Sequence, residues 1–270
     1  MLQAVIAPEN LVDTSKALLK ADAPRLIAGG TVVMPLINTG QHDVATLVSM
    51  RNLGLAKIGI SKRGLVTIGA ATTIAALANQ KELAFLRGAI DSIASPTIRN
   101  MATVGGNLFV EQPYGDLTVC LIALGAIATI SKGKSERKEA VETIAAKGVK
   151  PGEIVTKISF ALPAPGTFKY RKAARRALNS ASIVTVAAVI PLMKGAIQNC
   201  RIALGGVASR PVRAKQVEKL LEGKTLTREA VFAASEMAKS DIKPQSDAHA
   251  SAWYRARVTP VHIRRAIMGN

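Results

Sequence analysis

Aromatic residues make up only 3% of this 270-residue chain: one Trp, three Tyr and five Phe. A nucleic-acid surface that stacks bases on aromatic rings has little to work with, and any core must be built from Ala, Val, Ile and Leu. Cysteine is almost as scarce. Cys120 and Cys200 lie in separate apolar stretches, too few to ligate an iron–sulfur cluster, and they read as buried free thiols. No G-x-G-x-x-G occurs, which argues against a Rossmann dinucleotide site. No Gly-Lys-Ser/Thr follows the turn at Gly29-Gly30, which argues against a nucleoside triphosphate with magnesium there. His42, His249 and His262 are scattered without metal-ligand spacing and read as surface or cap histidines. No acid–base or nucleophilic constellation is evident. The longest apolar run, 117–130, is broken by Thr118 and Gly125 and is too short to span a bilayer. The N-terminus shows no basic segment ahead of a long apolar one, so no secretory signal is expected and the compartment is read as cytoplasmic, with no membrane partner.

What is present is length, aliphatic residues and positive charge. The length favours two domains, and hydrophobic residues reach 49% with a mean hydropathy of +0.23. The formal charge of +18 is unevenly spread. Residues 1–163 hold 17 Lys and Arg against 12 Asp and Glu, whereas residues 164–270 hold 19 against 6, a net of +13. So basic a half would suit nucleic acid, but the missing aromatics and motifs turn the reading toward an acidic protein partner.

Two Gly-Gly segments stand out, Ala28-Gly29-Gly30-Thr31 and Ser95-Pro96-Thr97-Ile98-Arg99-Asn100-Met101-Ala102-Thr103-Val104-Gly105-Gly106-Asn107. Glycines beside small polar side chains let backbone N–H groups face one way and approach a ligand closely, an arrangement suited to phosphate. The first follows the short apolar run Leu26–Ala28 and reads as a strand ending in a nest of donors. Together the two suggest loops that clamp one diphosphate from opposite sides.

In chain order, the pattern predicts a helix over 8–20 begun by Pro8, strands at 26–28 and 45–48, and a first lobe closed by Gly54. Strands at 57–60 and 65–68 follow around a turn at 61–64, then a helix capped by Thr72 or Thr73 and running to Ala78. Another helix over 85–93 is expected to stop at Ser95-Pro96, leaving the second glycine segment as a long loop. Asp116, at the head of Leu117–Leu124, can cap a helix N-terminus. Strands at 126–130 and 153–162 flank a solvated hairpin end at 132–142, and Pro163-Ala164-Pro165-Gly166 marks the boundary between domains 1–163 (lobes 1–54 and 55–163) and 164–270. Beyond it three strands are predicted at 168–176, 182–193 and 196–207, with a turn at Lys194-Gly195. Helices at 214–222, 227–239 and 248–267 complete the chain.

The glycine segments, Ala70-Ala71-Thr72-Thr73 between them, and Asp116 nine residues after Asn107 resemble the FAD-binding medium subunit of molybdenum hydroxylases, the xanthine dehydrogenase and carbon monoxide dehydrogenase family. Arg201–Ala208, followed by Pro211, Arg213, Ala214 and Leu220-Leu221-Glu222-Gly223, is similar to the family's C-terminal domain, so the likeness covers nearly the whole chain. It implies an α+β fold: a two-lobed α/β FAD-binding domain of PCMH type, then a three-stranded antiparallel sheet with three helices. It implies FAD held by Ala28, Gly29, Gly30, Thr31, Val32 and Val33 and by Ala102, Thr103, Gly105, Gly106 and Asn107. Asp116 would bond cofactor hydroxyls, Lys172 matches a basic residue near the flavin, and Ile154 would be a further cofactor-binding residue. The implied partners are an iron–sulfur small subunit and a molybdopterin large subunit, from which electrons reach FAD and then a final acceptor. Val32, where relatives usually carry a polar or acidic residue, and the basic C-terminal half are departures. The rival readings are a stand-alone flavin oxidoreductase, active without partners, and a basic binding protein without cofactor, which would purify colourless.

Overall fold

The computed structural model describes residues 2–41 and 43–269; His42 lies outside them. The first lobe comprises β1 (Ala4–Ile6), α1 (Leu11–Lys20), β2 (Pro24–Ile27), α2 (Val33–Asn38) and β3 (Thr46–Ser49). The strands form a parallel sheet in the order β1-β3-β2. The sequence reading missed β1, whose three residues are all exposed. Helix α1 starts later than expected, because Asn10 rather than Pro8 supplies the cap, its side chain accepting from Asp13 N at 2.9 Å.

The second lobe holds β4 (Ile58–Ile60), β5 (Leu65–Gly69), α3 (Ile74–Ala78), α4 (Arg87–Ser92), α5 (Pro96–Met101), α6 (Val104–Asn107), α7 (Asp116–Ala123), β6 (Ile127–Lys132), β7 (Ser135–Ala140), α8 (Val141–Lys147) and β8 (Ile154–Ala161). Its antiparallel sheet runs β4-β5-β8-β6-β7. The buried Ser15 hydroxyl joins the lobes, donating to Gly152 O at 2.9 Å and accepting from Gly133 N at 2.8 Å. Two predictions need correction. The segment 95–107 is helical rather than a long loop: Ser95 accepts from Ile98 N and Pro96 occupies the first helical position, so the proline that ends one helix begins the next. The expected hairpin end at 132–142 is a full strand pair running into α8.

The C-terminal part contains β9 (Phe168–Ala174), β10 (Ser182–Val189), β11 (Leu192–Met193), β12 (Ala196–Ile197), β13 (Arg201–Gly205), β14 (Val212–Arg213), α9 (Lys215–Leu221), α10 (Arg228–Glu236) and α11 (Ala252–Met268). Its antiparallel sheet is β14-β13-β10-β9, one short edge strand more than predicted. The long strands expected at 182–193 and 196–207 are each interrupted, and Lys194 (φ 50°) and Gly195 (φ 81°) turn a separate hairpin between β11 and β12.

Alternation along β10 divides its side chains between two cores. Val184, Val186 and Ala188 pack with Ile202 and Leu204 against Val217, Leu221, Val231 and Ile263 of α9–α11. Ala187 of β10 and Ala203 of β13 instead join the second lobe's core, which includes Leu117, Leu121, Ile130 and Ile158. Helix α7 lies between them, and all eight of its residues are buried, as expected of a helix with apolar residues on most of its faces. Gly205 permits the close approach, since a Cβ there would lie 2.7 Å from Val119 Cγ2. Among the described residues no helix is long and apolar enough to cross a membrane.

Candidate cofactor site

Parallel strand β2 ends at Ile27 and releases the chain into residues 28–32 before α2 begins. Gly30 has φ 70°, a left-handed conformation that favours glycine. Among the described residues, the amides of Ala28, Gly29, Gly30, Thr31, Val32 and Val33 donate to no protein acceptor. Ladder or helix bonds normally occupy such groups. Here the loop is partly open to solvent, so six consecutive donors are available to a ligand.

The second glycine segment meets the first directly. A Cβ on Gly29 would collide with the Met101 carbonyl oxygen, so the first loop lies against the end of α5, beside Ala102 and Thr103. The two segments are not equivalent donors, however. Val104 N donates to Thr72 O, Gly105 N to Ala70 O and Asn107 N to Thr103 O, at 2.8–2.9 Å. Gly106 N donates to the capping Thr103 Oγ1 at 3.1 Å. What this segment offers is therefore surface. Gly105 is buried with its Cα against Ala70, where a Cβ would meet the Ala70 Cβ and O at 2.8 Å, while Gly106 is exposed and would meet only Thr103 Oγ1, at 2.9 Å.

Asn107 turns its side chain inward. Its Oδ1 accepts from Thr118 N and Thr118 Oγ1, each at 3.1 Å, which fastens the glycine turn to α7. The residue before Thr118 by two is Asp116, and its carboxylate does not cap the helix, because Gly115 is the N-cap and no side-chain cap bond forms. Asp116 Oδ2 accepts from Lys172 Nζ at 2.8 Å, while Oδ1 accepts from Ser182 Oγ at 2.7 Å and from Thr185 Oγ1. Lys172 also donates to Ser92 O at 3.0 Å, and Tyr170 OH bonds Ser92 Oγ at 2.8 Å. Burial, with the nearby Asp116 charge second, pushes the Tyr170 phenol well above its usual range, so it stays protonated. Ser92, Tyr170, Ser182 and Thr185 were not singled out from sequence. The only available signal was a pair of hydroxyls, at 182 and 185, in an otherwise apolar strand. Lys172 lines a cavity of about 350 Å³ together with Ser92, Tyr170, Arg171, Arg175 and Arg176.

Ile154 opens β8 opposite Ser131, and its side chain is enclosed in the second lobe's core. Cys120 and Cys200 are both buried. His249 lies in the loop before α11, whereas His262 is half-buried within α11, and its Nδ1 finds no partner among the described residues. It is thus a packed residue rather than the surface or cap histidine expected.

Likeness to known proteins extends over nearly the whole chain. Residues 2–164 match the family described as the FAD-binding domain in molybdopterin dehydrogenase, and residues 168–269 match the CO dehydrogenase flavoprotein C-terminal domain. The chain is 30% identical to the carbon monoxide dehydrogenase medium chain of Afipia carboxidovorans, covering 96% of this chain and 93% of that one. It is also 30% identical to the glyceraldehyde dehydrogenase medium chain of Sulfolobus acidocaldarius, covering 97% and 95%. A solved structure of reconstituted CO dehydrogenase from Oligotropha carboxidovorans superposes with a TM-score of 0.91 at 29% identity, over 99% of this chain and 96% of that one.

Proposed function

Because this chain belongs to the family of FAD-binding medium subunits of molybdenum hydroxylases, we propose that it is the electron-transfer subunit of such a complex and that its two glycine segments form the diphosphate site. The observation that carries the site is the run of six unpaired amides at 28–33, whose Gly29 lies against Met101 and Ala102 of the second segment, where the exposed Gly106 leaves the surface without a side chain. Oriented N–H groups of this kind stabilise a diphosphate without a charged side chain. The bonds of Ala102 to Ile98, Val104 to Thr72, Gly105 to Ala70, Gly106 to Thr103 and Asn107 to Thr118 hold the second wall rigid.

When bound, FAD supplies the redox centre that accepts electrons from an iron–sulfur small subunit, itself served by a molybdopterin large subunit, and passes them to a final acceptor. Arg175 and Arg176 bring positive charge to the cavity that Lys172, itself paired with Asp116 and bonded to Ser92 O, also lines, and that field favours negative charge on a group bound there. The chain's own equipment ends there. Its two cysteines are buried and apart, and among the described residues no cluster of His, Cys, Asp and Glu could hold a metal ion.

The purified chain should be yellow, and acid precipitation should release all its flavin as FAD, because no His or Cys lies within the glycine segments to form a covalent link. With iron–sulfur and molybdopterin subunits co-expressed, its flavin should be reduced by the complex's substrate, and without them it should not. A colourless chain, or FMN in the supernatant, refutes the cofactor reading. Unaided reduction of an acceptor by a small substrate refutes the subunit reading in favour of a stand-alone oxidoreductase.

A further inference from the structure

In so aromatic-poor a chain, the sole tryptophan is 67% exposed and Phe232 is 58% exposed. Both lie on the helical layer of the C-terminal domain, Phe232 on α10 and Trp253 at the start of α11. The inner faces of these helices are already satisfied: Val231, Ala234, Ile263 and Ile267 pack into the C-terminal core. Among the described residues, none buries Trp253 or Phe232 on the outer face.

On α11, positions 253, 257, 261 and 264 follow helical spacing and share one side, which carries Trp253, Arg257, Val261 and Arg264. The Arg257 guanidinium sits 5.4 Å from the Trp253 ring centre, and the Arg264 guanidinium 4.3 Å from that of Phe232. Each stack holds a long side chain in place, so less conformational freedom is lost when its guanidinium meets a further acceptor, although Arg264 Nη1 already donates to Glu236 at 2.9 Å. Helix α11 contains four arginines and no carboxylate. Arg255 is buried and bound to Asp247, which leaves Arg257, Arg264 and Arg265 to the outer side, where only Arg264 has an ion-pair partner among the described residues, Glu236.

Tryptophan, arginine and other aromatics are the residue types that dominate binding energy at protein interfaces, and an exposed ring gains most when a partner pocket covers it. We propose that the outer face of α10 and α11, centred on Trp253, Arg257, Arg264 and Phe232, docks an acidic surface of a partner subunit in the complex, with carboxylates meeting the stacked guanidinium groups and an apolar pocket taking the indole. This rests on the reading of the chain as a complex subunit. A helical face with its rings partly covered by guanidinium groups suits a protein surface better than single-stranded nucleic acid, which stacks its bases on free ring faces.

The test uses the full chain co-expressed with its iron–sulfur and molybdopterin subunits. Arg257→Glu and Trp253→Ala should each weaken assembly about tenfold or more, read by gel filtration across a salt series, with flavin content and melting temperature of the isolated chain unchanged. Lys219→Glu, the same charge change on exposed α9, is the control and should assemble normally. Hydroxyl-radical labelling of Trp253 should fall at least several-fold on assembly. Unchanged assembly of both variants, equal labelling in free and assembled chain, or equal loss in the Lys219 control overturns the proposal. So does retention on duplex DNA that Arg257→Glu abolishes while assembly stays intact. If the unaltered chain keeps its FAD but never assembles, both the docking face and the subunit reading fall, whereas loss of FAD alone touches only the cofactor site.

Discussion

Lys172 Nζ lies 2.8 Å from Asp116 Oδ2, and with only 10% and 6% of their side chains exposed the two form an ion pair between the C-terminal sheet and the start of α7. Each partner is fully engaged by further groups: Ser92 O for the lysine, and the hydroxyls of Ser182 and Thr185 for the carboxylate. Burying a charge pair is tolerable only when such bonds replace the lost water. The pair thus joins the two halves of the molecule beneath the glycine turn.

Removing one member should leave the other buried and uncompensated. Asp116→Asn is expected to destabilise the protein by about 3–5 kcal/mol and to expose the 163–167 connection to protease. Adding Lys172→Met to Asp116→Asn should recover part of that loss. Thermal melts and limited proteolysis check this. Loss of flavin affinity at an unchanged melting temperature would instead assign the carboxylate to the cofactor.

Gly29→Ala drives a methyl group into the Met101 carbonyl and should push the first loop off the second segment. Flavin affinity is expected to fall at least tenfold, about 1.4 kcal/mol, while circular dichroism stays native. Gly59→Ala, where a Cβ meets nothing within 4 Å, should leave affinity unaltered.

Gly106→Val places a branched side chain on the exposed wall and crowds only Thr103 Oγ1 within the protein. The weakened cap should cost about 1 kcal/mol of stability, yet flavin retention through gel filtration should disappear. If valine is tolerated with flavin in place, the second wall does not face the cofactor.

Acid should destabilise the fold in two stages. Burial, then the Arg171 and Arg265 charges, lower the His262 pKa to about 4, so from about pH 6.5 downward the unfolded chain takes up a proton the folded one refuses, and stability declines until about pH 4. Arg137, bonded to Glu153 at 2.8 and 2.9 Å, holds that carboxyl at about 2. Its contribution is complete above about pH 4.5 and lost as pH falls toward about 2, and it amounts to at most about 3 kcal/mol, less the screening at the partly exposed arginine. Denaturant unfolding of His262→Leu should remove the first stage. Glu153→Gln should lower stability at pH 7 and narrow its gap to the unaltered protein toward pH 3.

Local chemistry was legible in the sequence because its causes are local. Thr73 and Thr227 cap their helices where hydroxyls preceded apolar runs, and Lys194-Gly195 turns a hairpin in which Gly195 takes positive φ without strain. The Gly-Gly segments and the order of motifs around them identified the family. Tertiary structure alone decided how those pieces are used. That 28–33 keeps its amides free while 104–107 binds its own to Ala70, Thr72 and Thr103 depends on which strands lie beside each segment. Asp116 has the same helix-start position in either reading, and only the approach of β9 and β10 turns it from a cap into the partner of Lys172, Ser182 and Thr185. The mostly apolar α7 likewise said only that it would be buried. Its burial between two domains follows from small residues on the facing sheet, Ala187, Ala203 and Gly205, whose role appears only once distant segments are packed together.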